Sequence, residues 1–171
     1  MIDRRDWQIA FLKQARSDWE AYQRTHEQMW PACHRLHFLQ MATEKLGKAL
    51  LVGGETALEE ITHTHSALVK FMRIVGNNHR LPLNLGMTKP QLRAQINRLL
   101  PIAYEIERLA PALAKDGPNP EYPWLTSSDQ IHVPVEYSFS LAKVLQTPHG
   151  IKLLKYIENC VIEFEKLFFG H

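Results

Sequence analysis

The stretch PACHRLHFLQMATEKLGKALLV, Pro31 to Val52, reads as one long helix. Advancing about 100° per residue from Leu36, the residues Phe38, Ala49, Ala42, Leu46, Leu39 and Leu50 gather in a single arc. Gln40, Glu44 and Lys48 recur every fourth residue on the opposite side, where Glu and Lys pair across a turn. An apolar stripe kept in phase over roughly six turns has to be buried, so other helices must surround it.

The flanking sequence supplies them. Upstream, Asp3 or Asp6 to about Thr25 carries Trp7, Phe11, Ala15, Trp19 and Tyr22 on one face, with the acids in the first turn and Arg24 near the last, as a helix dipole prefers. Pro31 suits the first turn of the second helix, and Gly53-Gly54 its stop. A third helix is expected from about Thr56 to Val75, with Leu58, Ile61, Leu68 and Met72 as its stripe and His65 inside that stripe. Gly76-Asn77-Asn78 should end it through left-handed backbone, leaving Asn78 to Met87 as a loop. A fourth helix opens with Thr88 as N-cap and Pro90 in its first turn, and aligns Leu92, Ile96, Leu99, Ala103 and Ile106. Pro101 lies within that pattern and predicts a kink.

Lys115 to about Val135 is rich in turn residues and reads as the longest loop, with Tyr122, Trp124 and Leu125 packing part of it down. A helical turn near Tyr137 to Leu145 precedes the last helix, Pro148 to Phe169. That helix buries Leu153, Leu154, Ile157, Cys160, Val161, Phe164, Leu167 and Phe168. No run reads as a strand. The sum is an all-α, antiparallel up-and-down bundle of about five helices, one domain over residues 1–171 with a long loop at about 115–135.

A chain of 171 residues, 45% of them apolar, is long enough to bury a substantial core. Mean hydropathy is −0.27, and no apolar run approaches the ~20 residues that cross a bilayer. The charged start MIDRRDWQ lacks a secretory apolar segment, so the expected location is cytoplasmic, with no membrane partner. Cys33 and Cys160 sit in helical patterns away from metal-type spacing and are read as reduced, packed thiols. The net charge of +2 does not by itself demand nucleic acid.

The phrases LHFLQMATEKLGKALLV (Leu36 to Val52) and THSALVKFM (Thr64 to Met72) resemble the higher eukaryote and prokaryote nucleotide-binding (HEPN) domain. In that family the first helix of a pair often carries an aromatic–x–x–Ala–x–Glu–Lys kind of pattern. The second often opens with His followed by Leu three residues on, as His65 and Leu68 do. Tyr122-Pro123 echoes a Tyr-Pro dipeptide seen before the final helix of some members. The resemblance covers about half the chain. It implies a small, commonly homodimeric bundle that binds RNA, a nucleotide, or a protein partner such as a nucleotidyltransferase or an antitoxin.

Ribonuclease members of that family use an Arg, four to six residues, then a His. The resemblance places Arg73 and His79 in those roles: Arg73 to stabilise phosphate charge, His79 as general acid or base, without metal. Ile74 stands where the family usually has a polar residue, and the pair ends a third rather than a later helix. The other reading of the same residues is a helix-terminal cation followed by a loop histidine. Arg80, Lys89 and Arg93, with Arg98, gather in sequence as a phosphate-facing set, interrupted soon after by Glu105 and Glu107. The expectation that follows is a non-catalytic binding module. A metal-independent ribonuclease and a purely structural bundle that docks through its long loop are the alternatives.

No cofactor or metal site is expected. Glu60 and His63 have Glu-x-x-His spacing but no second copy, and His34 and His37 are read as a solvated face. His65 is read as a core histidine bonded to backbone. No serine sits in a nucleophile elbow, and no glycine loop cradles phosphate.

Overall fold

The computed structural model describes residues 3–55 and 57–169. These residues are mostly helical: α1 (Arg4–Glu27), α2 (Ala32–Val52), α3 (Leu58–His63), α4 (Ala67–Val75), α5 (Arg80–Asn84), α6 (Lys89–Glu107), α7 (Pro111–Ala114), α8 (Ser140–Val144), α9 (Pro148–Ile162) and α10 (Phe164–Phe168). One small antiparallel hairpin, β1 (Trp124–Leu125) with β2 (Ile131–His132), completes them. The expected start of the third helix at Thr56 lies outside the described residues.

The longer helices pack in a closed cycle: α1 on α2, α2 on α4, α4 on α6, α6 on α9, and α9 back on α1. Side-chain bonds give the directions. Arg4, at the start of α1, donates to the carbonyls of Val52 and Gly54 at the end of α2, so this pair is antiparallel. Arg16 reaches Val161 and Glu165 while Gln23 reaches Glu158, which sets α1 antiparallel to α9. The core runs through all five, with Ala15, Leu39, Leu46, Phe71, Ile96 and Leu153 sealed from solvent.

Helix starts follow the local chemistry. Asp3 caps α1, and Asp6 returns the bond to the Asp3 amide. Thr88 and Gln91 form the same reciprocal box on α6. That helix runs unbroken through Pro101, which is exposed, so the i−4 carbonyl that the proline leaves unpaired belongs to Asn97 on the water side.

Several expectations are corrected. The third helix is two: Thr64 is extended and breaks it, Thr64 Oγ1 accepts the Ser66 amide, and α4 begins afresh at Ala67. Threonine and serine here bond locally to backbone in competition with the helix. The last helix also divides, at Glu163. Arg16 from α1 takes the carbonyls of Val161 and Ile162, which a continuing helix would have bonded to the amides of Glu165 and Lys166. Gly76 ends α4 with φ −59°, not left-handed, and the expected loop contains α5, whose first amides are held by Asn78 Oδ1. The long loop carries the hairpin; Trp124 packs down, while Tyr122 and Leu125 stay exposed. Gln40 and Lys48 are buried rather than solvated, at 3% and 6% exposure.

The restart at Ala67 leaves the first amides of α4 without a side-chain cap of their own. Glu107, at the end of α6, provides one: its Oε1 accepts the Val69 amide at 2.7 Å. Burial pushes the Glu107 carboxyl up, and the α4 amides with the charges of Lys70 and Arg73 only partly offset this. Glu107→Ala should therefore cost about 1–2 kcal/mol in urea unfolding, as loss of a cap does, whereas Glu107→Gln keeps an acceptor and should cost clearly less. Equal losses in both variants would show that the capping bond is not what Glu107 contributes.

Candidate functional site

The two residues of the Arg–x5–His pattern are held by opposite ends of α6. Arg73 is exposed at the end of α4, and its Nη2 donates to the Tyr104 hydroxyl at 2.8 Å. His79 lies just before α5, with Nε2 3.4 Å from Lys89 Nζ. Tyr104 and Lys89 are fifteen residues apart on one helix, about 22 Å along its axis. Within one chain the guanidinium and imidazole are thus not brought to a common reacting atom, as in-line attack by a 2′-hydroxyl would require.

The phosphate-facing set is likewise divided. Arg80 is turned inward along the surface: its Nη1 donates to the carbonyls of Lys166 and Phe169 at the end of the chain's last helix. Lys89 is half-buried beside His79. Arg93 is exposed on the outer face of α6. At ~100° per residue, Arg93, Asn97, Tyr104 and Arg108 fall within about 60° of arc and extend roughly 22 Å. The neighbouring exposed side of α4 adds Lys70, Arg73 and Asn77. Neither helix places an acid in this band: Glu107 is buried against α4, and Glu105 projects about 100° away from Tyr104. Tyr104, 41% exposed, is the aromatic in its centre. Arg108, Lys70 and Tyr104 were not singled out by sequence spacing, because the band joins two helices that only tertiary packing aligns.

His65 is not a core residue. It lies in the break between α3 and α4, 43% exposed at its side chain, with Nδ1 3.1 Å from Glu44 Oε2. Glu44 is the hub of a buried polar row: Gln40 Nε2 donates to Oε2 at 2.8 Å and Lys48 Nζ lies 2.7 Å from Oε1. Lys48 also donates to the Thr62 carbonyl at the end of α3, at 2.9 Å. His34 is exposed, whereas His37 Nδ1 lies 3.4 Å from Glu121 in the long loop. Glu60 and His63 line only an open depression on α3. Among the described residues no three His, Cys, Asp or Glu side chains converge as metal ligands. Both cysteines are free and buried, and burial pushes the Cys160 thiol up to about 12, which keeps it protonated and unreactive.

A separate groove of about 460 Å³ opens between α1 and the α8–α9 corner. Trp19, Tyr22, Leu145, Ile151 and Leu154 line it, with His26 and Gln146 toward its inner end. Sequence periodicity assigned Trp19 and Tyr22 to the core, which they are at one edge; they also line the groove beside the α8–α9 corner.

Burial raises the Glu44 carboxyl, but hydrogen bonds and charge from Lys48, with bonds from His65 and Gln40, outweigh it and leave the group below its ordinary value of 4.5. A folded-state value below the unfolded one adds stability that is present above the unfolded value and is lost as pH falls through the folded value. Unfolding measured from pH 7 down to pH 3 should show that loss, and Glu44→Gln should flatten it. Glu44→Ala, which strands the buried Lys48, should cost about 3 kcal/mol at pH 7. An unchanged acid slope in Glu44→Gln would mean the row contributes no net electrostatic stability.

Comparison of the chain with protein-family models, with curated proteins and with solved structures finds no match.

Proposed function

We propose that this protein is a HEPN-like, homodimeric helical bundle of the cytoplasm that binds RNA and does not cleave it. The observation that carries the reading is the acid-free cationic band of Lys70, Arg73, Arg93 and Arg108 around the exposed Tyr104 ring on α4 and α6. Guanidinium and ammonium groups spaced over roughly 22 Å suit successive phosphates of a single strand, and a half-exposed tyrosine offers a stacking face. The separation of Arg73 from His79 favours binding over cleavage.

Fluorescence anisotropy with a labelled 12-nucleotide single-stranded RNA tests the reading. Affinity should fall with salt, and Arg93→Ala with Arg108→Ala should flatten the log–log salt slope by about 1.4, two phosphate contacts at ~0.7 each. The same RNA, incubated with wild-type protein in chelator, should remain intact. Salt-independent binding would remove the RNA reading; cleavage abolished by both Arg73→Ala and His79→Ala would replace it with the ribonuclease.

A second reading, docking of a protein partner such as a nucleotidyltransferase or an antitoxin, draws on the hairpin. Tyr122, Leu125, Ile131 and Val135 are all more than half exposed on it, which is unusual for a solvated turn. Leu125→Asp with Ile131→Lys, an opposite-charge pair facing each other across the hairpin, should leave thermal stability unchanged, since neither packs in the core, and should disrupt any self-association seen by light scattering. A dimer that survives both changes would exclude the hairpin as its interface.

A further inference from the structure

The groove between α1 and the α8–α9 corner narrows inward to a recess of about 40 Å³ lined by Tyr22, His26, Arg35, Ala142 and Gln146. The recess and the groove share Tyr22, His26, Leu145, Gln146 and Leu154, so they form one continuous space. No carboxylate lines the recess. Arg35 comes from α2, and its guanidinium has an unusual environment. Its Nε is buried without a hydrogen-bond partner, and its Nη1 lies 3.4 Å from His26 Nδ1, itself a base. Among the described residues, no acid pairs with Arg35. Tyr22 lines the recess with Arg35; its burial raises its hydroxyl, and the positive charge of Arg35 opposes this. A second unpartnered donor, Trp19 Nε1, belongs to the wall of the outer groove.

Arg35 is half-buried, its Nη1 reaching the solvent side beside His26 while its Nε is sealed from water with no acceptor, and an unpaired buried donor on a cation is costly. The cost is relieved by an acceptor-rich anion. The space available specifies more than charge. The recess is about the size of one small polar group, whereas the outer groove is apolar and falls in the ~300–1,000 Å³ range of small-molecule sites. Its only acids, Glu27 and Glu158, line the outer groove, and Glu158 there accepts from Gln23. A single planar guanidinium at the closed end matches a single planar carboxylate, two N–H donors to two oxygens.

We propose that this groove is a binding site for an amphiphilic monocarboxylate, its carboxylate held by Arg35 and His26 in the recess and its apolar body lying on Tyr22, Leu145, Leu154 and Ile151. The site lies on helices other than those of the cationic band, so it stands whether or not the protein binds RNA. Arg35 then acts as the anchor and Trp19 as a wall residue whose indole reports occupancy.

The probe is decanoate, titrated below its micellar concentration by calorimetry and by the Trp19 indole cross-peak in an ¹⁵N spectrum, assigned with Trp19→Phe. Decyltrimethylammonium, with the same chain and opposite charge, and adenosine monophosphate, an anion without an alkyl body, are the comparators. Saturable decanoate binding that shifts the Trp19 peak is expected, at least tenfold tighter than either comparator. Arg35→Gln should weaken it at least tenfold. Ile151→Trp, at a position 46% exposed on α9, should fill the groove and block decanoate without loss of fold. No saturable decanoate binding by the wild-type protein would overturn the proposal. So would equal binding of the cationic probe, tighter binding of the nucleotide, or decanoate affinity unchanged in Arg35→Gln and Ile151→Trp.

Discussion

The constraint on which the rest of the structure depends is the burial of α2 on its polar side as well as its apolar one. Its apolar arc faces the core as any amphipathic helix would, but Gln40, Glu44 and Lys48 on the other side are also withdrawn from water. A carboxylate and an ammonium in that position must be satisfied internally. They satisfy each other, and the remainder comes from α3 and the link after it: the Thr62 carbonyl for Lys48 and the His65 ring for Glu44. A straight helix through Thr64 would have kept the Thr62 carbonyl in its own ladder. The break at Thr64–Ser66 and the polar row of α2 are therefore two aspects of one solution.

That break sets the position of α4. A Cβ on Gly47 would sit 2.5 Å from the Ala67 carbonyl oxygen, so the absence of a side chain on α2 is what lets the first residue of α4 abut it. The new helix start then needs a cap, which Glu107 supplies from α6. Capping ties the end of α6 to the beginning of α4 and lays their outer faces side by side, and the cations and Tyr104 of the proposed RNA band lie along that seam. Arg16 plays the corresponding part on the other side of the molecule. By taking the last carbonyls of α9 it ends that helix, and its pairing with Glu165 holds α10 against α1.

The two proposed sites thus have different origins. The band on α4 and α6 is a surface property, made of side chains that extend into water and cost little to place there. The groove beside α1 is a packing property, the space left between α1 and the corner where α8 turns into α9. Arg35 links the groove to the central helix, since the residue that anchors the proposed carboxylate is next to Leu36 and one turn from Leu39 in the core.

The sequence by itself determined that the fold is helical and where the long helices α1, α2, α6 and α9 start, because capping residues, first-turn prolines and apolar period act within a few residues of one another. Asp3, Thr88 and Pro148 mark their helices as local chemistry requires, and both cysteines pack as their helical positions imply. Tertiary structure alone decided the rest. Whether Glu44 and Lys48 meet water depends on what covers α2, whether the Thr62 carbonyl leaves its helix depends on a lysine fourteen positions away in α2, and whether α9 continues past Ile162 depends on Arg16 at the far end of the chain. Arg73 and His79 lie six positions apart in sequence, yet α6 holds their side chains at opposite ends. Spacing along a chain sets distance only within one element; across a break, packing sets it.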